Sequence, residues 1–174
     1  MTYQIPQGIQ VSLTGQEGSW YKLSDHNRQP IGITYTLIEQ TDRMANGTLR
    51  KYVVARKFVI TANWKDFPTL DSNVVDYSPT DPKIGKAGSW IKAFYEGNYG
   101  NPVYVRLIMA TEGSTQDGLP TGTYTDAQNA ESVSQPYLAF MTTFTYDVTK
   151  RRKATGLLDP GYDYVDLKIE FTEI

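Results

Sequence analysis

Alternation of apolar and polar residues dominates this chain. It is cleanest near the C-terminal end, where Val165, Leu167, Ile169 and Phe171 are separated by Asp166, Lys168, Glu170 and Thr172. That period of two is the mark of a strand with one face on a core. Ile9-Gln10-Val11-Ser12-Leu13 repeats it near the start, and residues 20–23 predict a second short strand. Residues 103–109 read as a strand. Residues 137–148 read as a longer one, with Leu138, Phe140, Thr142, Phe144, Tyr146 and Val148 on one face. One window departs from this period. Ala87, Trp90, Ile91, Phe94 and Tyr95 recur at helical spacing, which predicts a single helix over 85–97 closed by Gly97 at C′.

The longest extended pattern surrounds Asn46-Gly47, the strongest short-range hairpin signal. A two-residue type I′ turn there pairs Ala45 with Thr48. Counting outward, Asp42 meets Lys51, Gln40 meets Val53, Ile38 meets Ala55, Leu37 meets Arg56, Tyr35 meets Phe58 and Ile33 meets Ile60. The base of this hairpin, about residues 33–64, carries bulky apolar pairs suited to a core. The outer half carries Glu39, Gln40, Asp42, Arg43, Arg50 and Lys51, with Met44 and Leu49 at the tip. Each limb spans about 45–50 Å, against about 40 Å for the diameter of a domain this size. The outer half is therefore expected to project as an arm. An isolated two-stranded arm is marginal in water, so the expected support is another subunit.

Residues 65–83 hold Pro68, Pro79 and Pro82 and read as a long surface loop after a break at Trp64. Residues 110–136 read as a second, with Leu119, Tyr124 and Val133 as its bulky apolar residues. Long loops of this kind are often functional or ordered by a partner. Lys150-Arg151-Arg152-Lys153 opens a connection ending at Asp159-Pro160-Gly161, a turn signature. The expected architecture is mainly β: one domain over residues 1–174, an antiparallel β-sandwich or barrel with one flanking α-helix and a long projecting β-hairpin.

Composition narrows the chemistry. The 174 residues can bury a core without staples. Thirteen tyrosines and frequent Thr and Val fit a β protein. The net charge of −2 offers no overall nucleic-acid footprint. No cysteine is present, which excludes disulfides, thiol catalysis and thiolate metal sites. No apolar run approaches a membrane span, and the opening Met1-Thr2-Tyr3-Gln4 lacks the pattern of a signal peptide. A histidine-based triad or metal site would need His26, the single histidine, which sits in the loop-like Asp25-His26-Asn27 and reads as a turn residue. Asp71, Asp76, Asp81, Glu112, Asp117, Asp126 and Glu131 are too scattered for a glycosidase pair or an EF-hand. Gly97-Asn98-Tyr99-Gly100 and Gly85-Lys86-Ala87-Gly88-Ser89 do not match a phosphate loop and read as helix exit and entry. No cofactor or metal is expected. The basic run reads as a solvated strand end or as a contact to acidic side chains of a neighbouring subunit, with DNA third, because no aromatic residues interleave the run in sequence and the chain is net acidic.

Leu23-Ser24-Asp25-His26-Asn27-Arg28, Arg43-Met44-Ala45-Asn46-Gly47-Thr48-Leu49-Arg50-Lys51-Tyr52 and Trp90-Ile91-Lys92-Ala93-Phe94-Tyr95 resemble virion proteins of long-tailed bacteriophages, particularly those of actinobacteria. The expected architecture also resembles the tail-tube fold. The resemblance implies a non-enzymatic subunit that self-assembles into homohexameric rings, stacked through the hairpin arm around a lumen. It also implies other tail proteins as partners, DNA only as passing cargo, no membrane, synthesis in the bacterial host cytoplasm and a final place in the virion tail. A distal-tail or adaptor, neck or capsid-decoration protein is the alternative. A mildly acidic subunit suits a channel in which DNA must slide, because Lys and Arg contacts to phosphate dominate non-specific affinity. The expected interface residues are Asp42, Arg43, Met44, Asn46, Leu49, Arg50 and Lys51 of the arm, followed by a loop formed by Lys150, Arg151, Arg152 and Lys153.

Overall fold

A computed structural model describes residues 3–114, 120–121, 132–133, 136–155 and 161–174. The strands are β1 (Tyr3–Ser12), β2 (Tyr21–Lys22), β3 (Gly32–Arg43), β4 (Leu49–Pro68), β5 (Val103–Ser114), β6 (Pro120–Thr121), β7 (Ser132–Val133), β8 (Tyr137–Arg152) and β9 (Tyr162–Glu173). The single α-helix among the described residues, α1, is Gly88–Asn98, and a 3-10 turn covers Asp71–Asn73. The strands form one antiparallel sheet in the order β2-β1-β5-β8-β9-β4-β3, with β6 and β7 added to β5. The mainly-β architecture with one flanking helix and a long hairpin is therefore present.

The sheet folds back on itself. Ile9 and Val11 from β1 share one buried cluster with Ile60, Ala62 and Trp64 from β4 and with every apolar residue of the β9 alternation. The segment between β2 and β3 joins the two sides. Leu23 N–H donates to Ile9 O at 3.0 Å, and Gln29 N–H donates to Asn63 O at 2.8 Å. Lys65 N–H donates to Asn27 O at 3.2 Å. Asn27 adopts φ 54°, a conformation its side-chain type tolerates. The Trp64 indole donates to Ser24 O at 2.8 Å, tying that segment to the core.

Apart from the outer part of the hairpin, four places in this sheet depart from simple alternation. In β4 the register shifts between Trp64 and Phe67, so both aromatic rings enter the core and stack with centroids 5.5 Å apart. The strand expected to break at Trp64 therefore continues to Pro68, and the loop expected over 65–83 starts later and holds the 3-10 turn. In β8 a shift at Thr142 reverses the face. Ala139 and Met141 are buried before it, whereas Phe144 and Tyr146 pack on the same core after it. Leu138 and Phe140 are exposed, against the expectation that they share a face with Phe144 and Tyr146. A second shift, between Val148 and Lys150, lets β8 run on to Arg152. In β1 the register shifts between Pro6 and Gly8. Leu13 lies past the end of β1 and is exposed, so the expected alternation stops at Val11. The second expected loop is likewise shortened, because β5 runs to Ser114 and carries β6 and β7. Leu119 and Tyr124 lie outside the described residues.

Helix α1 buries the expected stripe. Ile91 is fully enclosed, and Trp90, Phe94 and Tyr95 pack on the core. Tyr95 stacks on Phe144 at 4.3 Å, and the Trp90 ring meets Tyr21 at 4.9 Å with the planes tilted by 37°. The ends differ from expectation. Gly97 lies inside the helix, and Tyr99 is the C-cap with ordinary right-handed φ. At the other end Asp71 acts from a distance in sequence: its carboxylate accepts Ala87 N–H and Lys86 Nζ, both at 2.8 Å. This satisfies one of the amides a helix start leaves open.

Candidate assembly interface

The hairpin extends well past the sheet. Strand β4 pairs with β9 only from Val59 onward. Beyond that point β3 and β4 have no further strand partner among the described residues, a two-stranded ribbon of about 30 Å at the usual rise per residue. Phe58 anchors its root, with its ring edge-on to Tyr137 at 4.3 Å. Its amide also donates to Glu173 Oε2 at 3.3 Å.

The base register is the expected one, from Ile33↔Ile60 through Ile38↔Ala55. The outer register is not. Glu39 pairs with Val53, Gln40 with Tyr52, Thr41 with Lys51, Asp42 with Arg50 and Arg43 with Leu49. Val54 is the extra residue of a bulge. The turn explains the difference. Gly47 N–H donates to Met44 O at 2.8 Å and Met44 N–H to Thr48 O at 2.9 Å. Only Gly47 of the expected pair has positive φ, at 82°. This is a three-residue loop built on a type I turn with glycine in the left-handed position, not the two-residue type I′ turn. Asn46 contributes through its side chain, which accepts Thr48 N–H at 3.0 Å. The one-residue offset at the tip is then absorbed at Val54.

The bulge sets the composition of the two faces. Leu37, Glu39, Thr41 and Arg43 share one face with Arg56, Val53, Lys51 and Leu49. Ile38, Gln40 and Asp42 share the other with Ala55, Tyr52 and Arg50. Tyr35, Leu37, Ile38, Met44, Leu49, Tyr52, Val53 and Val54 are all exposed. The ribbon is polar in outline but presents a run of large apolar side chains beside unpaired strand edges. That combination favours pairing with another chain. Lys51 reaches Glu39 at 2.6 Å, and Arg56 lies over the Tyr35 ring at 4.8 Å. Asp42, Arg43, Met44, Asn46, Leu49, Arg50 and Lys51 are thus gathered at the distal end of one element. Sequence reasoning did not single out Val54, whose role follows from the bulge.

The second expected interface element is differently built. Lys150, Arg151 and Arg152 lie in the last turn of the β8 ladder rather than in a loop, and only Lys153 follows it. Lys150 pairs with Asp66 at 3.2 Å, and Arg151 forks onto Asp163 at 2.8 and 3.4 Å. Arg152 lies over the Tyr162 ring. The hydrogen bond from Lys150 lowers the Asp66 pKa, and the one from Arg151 lowers that of Asp163. The run is therefore interleaved with aromatics across the strands, Arg152 opposite Tyr162 and Lys150 opposite Tyr164. A linear reading of the sequence hides this pairing.

His26 braces a turn. Its Nδ1 accepts Val75 N–H at 3.1 Å, and its own amide donates to Ser24 Oγ at 3.1 Å. The Ser24 hydroxyl donates to Asp76, whose second oxygen accepts Asp25 N–H at 3.2 Å. The serine is bonded to the carboxylate and not to the imidazole, so these three do not form a nucleophile-base relay. No group of three or more His, Cys, Asp or Glu side chains is placed to hold a metal among the described residues, and no described helix is long and apolar enough to cross a membrane. No protein-family model and no curated protein matches this chain.

Proposed function

We propose that this chain is a non-enzymatic structural subunit of a bacteriophage tail. It joins copies of itself through the hairpin arm into sixfold rings that stack into a DNA-conducting tube. The observation that carries the reading is the arm: a two-stranded ribbon that leaves the sheet at Val59 and exposes apolar residues along its length. A ribbon of this kind is marginal alone. It gains a partner if it lies against the next copy in a head-to-tail contact, which closes into a ring when the rotation permits. The curled antiparallel sheet with one packed helix suits the expected tail-tube-like architecture, and the three stretches at 23–28, 43–52 and 90–95 add their resemblance to virion proteins of long-tailed bacteriophages. Under this reading the strand end at Lys150, Arg151, Arg152 and Lys153 offers a secondary contact to acidic side chains of a neighbour.

Replacing residues 41–51 by a short Gly-Ser turn tests the proposal. The shortened protein is expected to keep its thermal transition and to remain monomeric by light scattering, whereas the intact chain gives sixfold rings or tubes by negative-stain microscopy. Normal rings from the shortened protein would remove the arm as the joint. An intact chain that stays monomeric alone but binds preformed capsids would move the protein to a decoration role.

A further inference from the structure

A cavity of about 290 Å³ lies at the β1–β2 side of the sheet, remote from the arm. Gln10, Trp20, Lys22, Asp81, Lys83 and Arg106 line it. Three of these are cations and one is an anion. Arg106 is only 9% exposed, although it carries a permanent charge. Its guanidinium is fixed in place: it stacks over the Trp20 ring at 4.2 Å, and its Nε donates to Gln10 Oε1 at 2.6 Å. Trp20 itself is 6% exposed. Lys22 is already paired with Asp25 at 3.2 Å, and Lys83 donates to Gly18 O, so the buried, oriented guanidinium is the charge that most needs an anion.

One anion already does so in part. Glu17 contacts Arg106 Nη1 at 3.0 Å, yet the Glu17 side chain is 87% exposed. It reaches in from a turn flanked by Gly15 and Gly18, both at positive φ. The cavity's own chemistry is therefore carboxylate on guanidinium, with the carboxylate supplied by a nearly free surface side chain. We propose that this cavity is a carboxylate-binding site, in which an incoming carboxylate displaces Glu17 from Arg106 and is also met by Lys83. One carboxylate group, with two oxygens to offer the guanidinium, suits the site better than a phosphate group, because Asp81 remains in the lining. The carboxylate comes either from a small organic acid or from an acidic side chain on a second copy of the chain. This inference does not depend on how the arm is used.

Titration of ¹⁵N-labelled full-length protein with succinate at constant ionic strength tests it. The chain has three tryptophans, so the indole N–H region is simple, and Trp20→Phe assigns the relevant peak. Saturable movement of the Trp20 indole and Arg106 Nε–H peaks is expected with succinate but not with chloride. Glu17→Gln should tighten binding by up to about fivefold, the ratio an exposed ion pair commands. Arg106→Gln should abolish the movement. If that variant unfolds by circular dichroism, Lys83→Met decides, with weaker binding expected. An absent or unsaturable response, equal saturation by chloride, or unchanged affinity in Lys83→Met would overturn the proposal. A dilution series without added acid separates the sources. Concentration-dependent shifts of the same peaks, reversed by succinate, identify the second copy, and their absence identifies a free acid.

Discussion

Leu37, Ile38, Val53 and Val54 surround the bulge of the arm and are 43%, 49%, 54% and 77% exposed. Changing all four to threonine leaves a β-branched side chain, which strands favour, at every position while replacing hydrocarbon by hydroxyl. Fully burying a side chain of this size is worth about 1.5–3 kcal/mol. Weighted by the exposed fractions, and allowing for the methyl that threonine retains, a neighbouring subunit that covers all four loses about 3 kcal/mol per arm in the variant. The costs of association are common to both proteins, so this difference appears as about a hundredfold rise in the concentration needed for assembly. The monomer should change little, because exposed substitutions away from packed features stay within about 0.5 kcal/mol each. Sedimentation velocity across a wide concentration series measures the first quantity, and thermal unfolding the second. An assembly midpoint within threefold of the parent, with an unchanged thermal transition, would refute burial of the arm. A marked loss of thermal stability would show instead that the arm packs on its own domain.

Three further outcomes follow from the fold itself. Gly85→Ala should destabilise by about 3 kcal/mol or more, from left-handed strain and because its Cβ would fall 2.6 Å from the Asp76 carbonyl oxygen at φ 71°. Gly97→Ala, inside α1 with open space around it, should stabilise by about 0.5–1 kcal/mol; chemical denaturation compares the two. Asp71→Ala removes the carboxylate that pairs Lys86, a residue only 8% exposed, and should cost about 3 kcal/mol, while Asp71→Asn should cost less because it still accepts Ala87 N–H. The hydrogen bonds from Lys150 and Arg151 hold the Asp66 and Asp163 carboxyls below the usual aspartate range in the folded protein. Their contribution is thus present above the unfolded value and is lost as pH falls through the lowered folded values. Acid unfolding should be shallower in Lys150→Met with Arg151→Met, and an unchanged acid limb would remove those pairs from the account.

The elements legible in the sequence are those whose pattern is unbroken. The β9 alternation and the α1 stripe place every apolar residue where the structure buries it. The hairpin base follows from counting back from Asn46-Gly47, but only because two one-residue departures cancel, one at the turn and one at Val54. Bulges leave no mark in a binary pattern. That is why β4 was expected to stop at Trp64 and why Leu138 was grouped with Phe144. In the latter case Thr142 inserts a residue into what reads as continuous alternation. The Asp71 contact to Ala87 and the Arg106–Trp20 stack join residues far apart in sequence, and no local signal announces either. The arm was visible because excess length and tip charge are local properties. The aromatic partners of the basic run were not, because they lie across β9.

The closure of the body explains why association should concentrate in the arm. In an open sheet each outermost strand offers unpaired N–H and C=O groups to other chains. Here residues 23–29 cross from the β1 edge to β4 and occupy that backbone, as the bonds to Ile9 and Asn63 record. The β3 edge and the part of β4 before Val59 are left without a further strand among the described residues. The same span carries the largest run of exposed apolar side chains. Backbone pairing and hydrophobic burial would therefore be satisfied together by one neighbour, with neither drawing the body into the contact. The charges near the tip limit which neighbour can do so. Asp42 stands opposite Arg50, and Glu39 holds Lys51. Under the proposed assembly, a neighbour that set like charges against these would be disfavoured, which limits indiscriminate edge pairing. Reversing Asp42 and Arg50 together preserves the pair within the arm but inverts what it presents. It should therefore weaken assembly without changing monomer stability, and unchanged assembly would show that the tip charges do not select the neighbour.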